Sequence, residues 1–131
     1  MVRTAIFGLM LAMTGCASAP PPRTSVVGQW GGTHAGLTLA SSGGQIEYDC
    51  AAGTIGPVVP GANGEFAAVG THTPAAGGPE IEGQPRPTYA TRYSGAVRGD
   101  RMTLRGRVET GVLLGPFVLR RGAEPTIFRC L

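Results

Sequence analysis

The chain has 131 residues, enough for one ordinary domain and too few for two. Its 22 Gly and 11 Pro make up a quarter of it, yet 42% of residues are apolar and only 15% are charged. That is the reverse of the balance in disordered chains, so the Gly and Pro point to tight turns between short strands. The formal net charge is +3 and every basic residue is Arg; a charge of that size scattered along the sequence is not the basic stripe that nucleic acid requires.

Met1–Thr4 carries one positive charge, at Arg3, and Ala5–Met13 (AIFGLMLAM) is an uncharged apolar run. A charged start, a short apolar stretch and a small-residue exit make a secretory signal. As a helix the run reaches only about 13 Å, against a hydrocarbon core of about 30 Å, so it is not a permanent span. The Thr14-Gly15-Cys16 that follows resembles the lipobox of bacterial lipoproteins, with Met13 in place of the usual Leu. The resemblance implies a signal peptide over 1–15, diacylglycerol on the thiol of Cys16 and an acylated new amine. With Ala17 and not Asp after the cysteine, it also implies the periplasmic side of the outer membrane. Ordinary cleavage after Ala17 or Ala19, leaving a soluble periplasmic protein, is the alternative. Residues 16–25 then form the lipidated Cys and a Pro-rich tether, extended over at most about 28 Å.

From Val26 onward apolar residues recur at every second position, the strand signature. Val26–Trp30 is the first expected strand. Ala35–Ala40 and Gln45–Cys50 flank a hairpin loop at 41–44. Pairing Leu37 with Tyr48 and Leu39 with Ile46 gathers the apolar residues on one face and sets Ala35 opposite Cys50. His34, Thr38, Glu47 and Asp49 then fall on the other face. Ala51–Pro60 reads as a turn-rich connection and Gly64–Gly70 as a weaker strand. The Pro- and Gly-rich stretch 71–88 reads as a long mobile loop. Tyr89–Arg98 and Met102–Val108 flank a turn at 99–101; Val112–Arg120 and Thr126–Cys130 follow.

No capped, 3.6-periodic helix occurs after the signal. Eight short strands over 26–131 predict an all-β domain, a small antiparallel up-and-down barrel or flattened barrel. Its expected core is Trp30, Leu37, Leu39, Ile46, Tyr48, Phe66, Tyr93, Val97, Met102, Leu104, Val108, Phe117 and Leu119. With Cys16 given to lipid, Cys50 and Cys130 pair in an oxidising envelope and close the domain with one disulfide. No C-x-x-C occurs, and His34 and His72 are scattered, so no metal or other cofactor is expected.

Gly28-Gln29-Trp30 at the head of the meander resembles the G-x-W of lipocalin-like barrels. The resemblance implies that Trp30 plugs the barrel floor under a late-strand arginine, Arg120, Arg121 or Arg129, in a cation–π contact. GQWGGTHAGLTL, EYDCAAGTI, YSGAVRGDRMTL and FRCL are similar to a group of small uncharacterised bacterial proteins, which supports the fold and carries over no catalytic residue. Tyr48-Asp49-Cys50 with Cys130 resembles the Y-x-C and closing Cys of lipoprotein lysozyme inhibitors. The central S-G-x-x-Y and aromatic-x-K-G segments of that family are absent.

His34 and Asp49 are expected as diagonal neighbours, and a carboxylate orients an imidazole. A dyad also needs a nucleophile, and Ser41, Ser42 and Ser94 stand in no nucleophile elbow, so the expectation is a solvated pair. Glu80 and Glu82 sit on the long loop without the rigid geometry of acid–base work. Arg98-Gly99-Asp100 matches an integrin-recognised tripeptide and equally a strand-connecting turn, the reading adopted. Arg101, Arg105 and Arg107 put three cations near one strand face, suited to anionic lipid headgroups or an acidic partner; a solvated outer face is the plain alternative.

The expected function is a non-enzymatic envelope binding module held at the membrane by its lipid. It would contact an envelope protein or a small apolar ligand, and no nucleic acid. Candidate binding residues are Trp30, His34, Asp49, Arg105 and Arg107, and no catalytic residue is assigned. A small hydrolase using His34 and Asp49, or a passive structural lipoprotein, are the alternatives. The oligomeric state is left open.

Overall fold

The structure, a computed structural model, describes residues 25–75 and 82–130 together with Gly15. The expected lipidation at Cys16 and Glu80 both lie outside the described residues. Alternation of apolar and polar residues yields eight strands: β1 (Gly28–Gly31), β2 (Ala35–Ala40), β3 (Gly43–Tyr48), β4 (Ala51–Ile55), β5 (Glu65–Pro74), β6 (Tyr89–Arg98), β7 (Arg101–Val108) and β8 (Leu113–Arg121). Each pairs antiparallel with the next, and β8 returns to β1, closing the barrel. An eight-stranded barrel is just wide enough for side chains to fill. Trp30, Leu37, Ile46, Tyr93, Met102, Leu104, Val108 and Leu119 lie inside it, fully buried. The expected core is buried throughout except Val97 and Phe117, which are half-buried; Val26, Ala35, Ile55 and Val58 join it.

The expected eight strands differ in membership at two places. Ala51–Ile55 is a strand and not a turn-rich connection. Its central inward position is glycine because Tyr93 fills the space: a Cβ on Gly53 would lie 3.0 Å from the Tyr93 hydroxyl. Nor is 126–130 a strand; it has only an isolated parallel bridge, Thr33 to Thr126. In the β2–β3 hairpin, Leu37 faces Ile46 and Ala35 faces Tyr48, two residues from the expected register. Ser41-Ser42 alone make the turn, because Gly43 takes φ 121° and pairs with Ala40. A two-residue slip preserves the faces, so Leu37, Leu39, Ile46 and Tyr48 still point inward. β5 also continues to Pro74, taking the first residues of the expected long loop into the sheet.

The barrel has one weak seam and a strap across it. Trp30 opposite Arg121 and Gly31 opposite Arg120 are the two ladder pairs between β1 and β8, continued by the Gly122 amide donating to the Gln29 carbonyl (2.7 Å). After β8 the chain turns back and runs over the outside of β1 and β2. It can lie flat there because the outward residues beneath it are glycines. A Cβ on Gly31 would collide with the Ala123 carbonyl, and one on Gly36 would sit 2.7 Å from Pro125 Cγ. The His34 amide donates to the Thr126 carbonyl (2.8 Å), and the Thr126 amide to the Gly32 carbonyl (3.0 Å). Cys130 then bonds to Cys50, with Cα atoms 5.0 Å apart. The strap therefore ties the end of β8 across β1 and β2 to the β3–β4 turn.

The interior is polar toward the β3–β4 end. The Tyr48 hydroxyl donates to that of Tyr93 (3.0 Å), which donates to the Thr71 carbonyl (2.9 Å). Burial pushes both phenols up in pKa, so both are neutral donors. His72 is buried beside Tyr48, ring centroids 5.6 Å apart, and its Nδ1 has no partner. Burial pushes its pKa below the ordinary 6.5. Between 6.5 and that lower value the unfolded chain binds a proton that the barrel does not, so stability falls as pH drops through this window. Replacing His72 with Leu is expected to flatten the decline as pH falls below 6.5. Urea midpoints across that range check it; an unchanged slope would assign the decline elsewhere.

Candidate functional site

Strand pairing concentrates charge that is dispersed in the sequence. The outward positions of β6 carry Arg92, Ser94 and Arg98, those of β7 carry Arg101, Arg105 and Arg107, and β8 adds Arg120, all exposed. Register sets Arg92 opposite Arg107, Arg98 opposite Arg101, and Arg101 opposite Arg120. Directly opposed like charges destabilise a sheet. Among the described residues no carboxylate lies within 4 Å of any of these six arginines. Two acids close to them in sequence make contacts elsewhere: Glu109 accepts from the Ala90 amide (3.2 Å) and Asp100 from Arg121 Nε (3.2 Å).

A groove crosses this face. Leu104 faces Phe117 while Gly106 faces Leu114, so β8 carries one extra residue and bulges away from β7. The opening, about 480 Å³, is bordered by Arg92, Ser94, Arg105 and Arg107 on one side and by Leu113 and Pro116 on the other. Leu113 is 66% exposed; Val69, paired with Arg92 from β5, is 70% exposed. The site therefore offers guanidinium groups beside bare aliphatic surface, a combination suited to a ligand that is anionic at one end and apolar at the other.

Sequence reasoning singled out Arg101, Arg105 and Arg107 and missed Arg92, Arg98 and Arg120. Those three join the face only through register. The two-residue turn at Gly99-Asp100 was the available signal, since it sets Arg98 against Arg101 and hence Arg92 against Arg107. The premise of charge scattered along the chain is corrected in the same way.

The other expected site residues do structural work. Trp30 is fully buried at the barrel floor, and its Nε1 donates to the Val26 carbonyl (2.9 Å). Arg121, one of the three arginines considered for it, lies with Cζ 4.4 Å from the ring centroid. Arg121 is fixed there by Asp100 and by donation to the Ser25 carbonyl (2.8 Å). The turn reading of Arg98-Gly99-Asp100 thus has a further purpose, holding the floor arginine.

His34 and Asp49 do meet, through Nδ1 and Oδ2. The second carboxylate oxygen of Asp49 accepts from the Phe128 amide (2.7 Å), and His34 packs on the Phe128 ring with centroids 5.6 Å apart. The Phe128 amide first, then His34, hold the Asp49 pKa below the ordinary carboxylate range. His34 and Cys50 have φ of 73° and 58°, a left-handed conformation that non-glycine residues adopt only when the surroundings hold them. The pair is a clasp on the strap. Ser41 and Ser42 lie at the far end of six-residue β2, about 20 Å away along the strand, and Ser94 lies on the arginine face. Glu82 is exposed. No known protein family matches the chain, and no curated protein or solved structure is similar to it.

Proposed function

We propose that this chain is a non-enzymatic binding module of the bacterial envelope, tethered by lipid at Cys16 on the periplasmic side of the outer membrane. Its contact surface is the arginine-bearing outer face of β6, β7 and β8. The supporting observation is the ladder of arginine–arginine pairs, Arg92–Arg107, Arg98–Arg101 and Arg101–Arg120. Opposed like charges cost folding stability, and among the described residues no carboxylate pairs with them. An external anionic partner does. The tether reading rests on the signal-like run Ala5–Met13 and the Thr-Gly-Cys that follows it.

The test is photo-cross-linking in cells, since a chain without lysine escapes amine-directed reagents. A photoreactive residue at Ser94, on the arginine face, is expected to yield a discrete adduct that Cys16→Ser weakens. The same residue at Gln45, outward on β3, is expected to yield none. Adducts at Gln45 and not Ser94 would refute the surface assignment. A recovered chain beginning at Cys16 with three acyl chains is the expected mass; an unmodified Cys16 would refute the tether.

A further inference from the structure

We propose that the groove between β7 and the bulged start of β8 binds the phosphate headgroup of an anionic lipid at a bilayer surface. The proposal rests on the reading of the arginine face as the contact surface and names its partner. Arg92 and Arg107 are directly opposed, and Arg105 is two residues along β7 on the same side. Opposed Cβ atoms lie about 5 Å apart and same-side neighbours about 7 Å, so three long guanidinium side chains start from a compact triangle. Guanidinium forks bind phosphate oxygens bidentately, and the Ser94 hydroxyl, opposite Arg105, adds a donor.

The surroundings select a lipid over other anions. Leu113 borders the groove, Val112 precedes it and Val69 faces Arg92, all exposed. Cations interleaved with bare aliphatic side chains match the boundary between headgroups and acyl chains, where both find their solvent. A single-stranded nucleic acid calls for aromatic stacking platforms, and the outward positions of β6, β7 and β8 bear none: Phe117 points inward, onto Tyr48. None of the described residues lining the groove is acidic, and Glu109, two residues beyond Arg107, accepts from the Ala90 amide.

The experiment is sedimentation of the full chain carrying Cys16→Ser with vesicles of phosphatidylglycerol and phosphatidylcholine, against vesicles of phosphatidylcholine alone. Each arginine near an anionic surface is worth about fivefold in binding, so Arg92→Gln, Arg105→Gln and Arg107→Gln together should weaken binding to the anionic vesicles about a hundredfold. Binding to phosphatidylcholine, which reports any contribution of the apolar segment 5–13, should be unchanged by the triple substitution. Leu113→Ser should weaken the anionic binding several-fold. Circular dichroism checks that these exposed substitutions leave the barrel intact. Equal binding of both vesicle types, or indifference to either set of substitutions, overturns the proposal. So does full displacement by millimolar inorganic phosphate, which would make the ligand a free anion. Tighter, arginine-dependent binding of a short single-stranded oligonucleotide overturns it as well. If the vesicles fail while the Ser94 adduct persists, the contact surface stands with an acidic protein as its partner and the lipid proposal falls.

Discussion

Removing the Cys50–Cys130 bond lowers the stability of the barrel by about 4.5 kcal/mol, the loop-closure entropy for a separation of 80 residues. For a domain of this size that corresponds to a drop in melting temperature of the order of 20 °C. The effect is expected to be local as well as global. The bond fixes the end of a strap that lies over Gly31 and Gly36 and spans the two-pair seam between β1 and β8. Reduction should therefore raise amide exchange first in β1, in the last residues of β8 and at Thr126, before β6 and β7 respond. Thermal melts of the Cys50→Ala, Cys130→Ala chain, with exchange measured residue by residue, check both parts. A loss under about 1 kcal/mol would mean that the clasp of Asp49 on Phe128 holds the strap without the disulfide.

Trp30→Ala is expected to cost about 4 kcal/mol, at the upper end of large-to-small core substitutions. Trp30 is fully buried at the floor, donates to Val26 and carries the guanidinium of Arg121 on its ring. Truncation leaves a void and strips Arg121 of its stacking partner, in a site where Asp100 and Ser25 alone would hold it. Trp30→Phe keeps most of the volume and a ring face and should cost about half as much. A double-mutant cycle of Trp30→Phe with Arg121→Met isolates the stacking contribution, expected near 1 kcal/mol. Additive effects would reduce that contact to proximity.

The strands visible in the sequence are those whose inward residues are large. Met102, Leu104 and Val108 alternate with Thr103, Arg105 and Arg107, so β7 is unmistakable, and β2 is nearly so. β4 is hidden because Gly53 makes room for Tyr93 beside small Ala51 and Ala52, and small residues in a strand imitate a turn. The strap is hidden for the opposite reason. Apolar residues near the terminus alternate like a strand, whereas their partner is the outer surface of β1–β2, bared by two glycines. Outward glycines directly paired across strands, as Gly31 and Gly36 are, mark such a crossing, and only the register reveals them. The arginine face has the same origin. Arg92 and Arg107 stand on consecutive strands, and the tight turn at Gly99-Asp100 sets the register that makes them neighbours. His34 and Asp49, by contrast, were legible as a pair, but their purpose depends on Phe128, which arrives from the other end of the chain.

The proposed contact at the membrane is an electrostatic one, made by the outer face of β6, β7 and β8. The most direct measurement is binding of the Cys16→Ser chain to isolated outer membranes over a series of salt concentrations, with and without Arg92→Gln, Arg105→Gln and Arg107→Gln. Screening lengths shrink from about 10 Å at 0.1 M salt to about 3 Å at 1 M, so the arginine-bearing chain should lose binding steeply across that range. The substituted chain should bind weakly and change little. Binding that ignores both salt and the three substitutions would contradict the account.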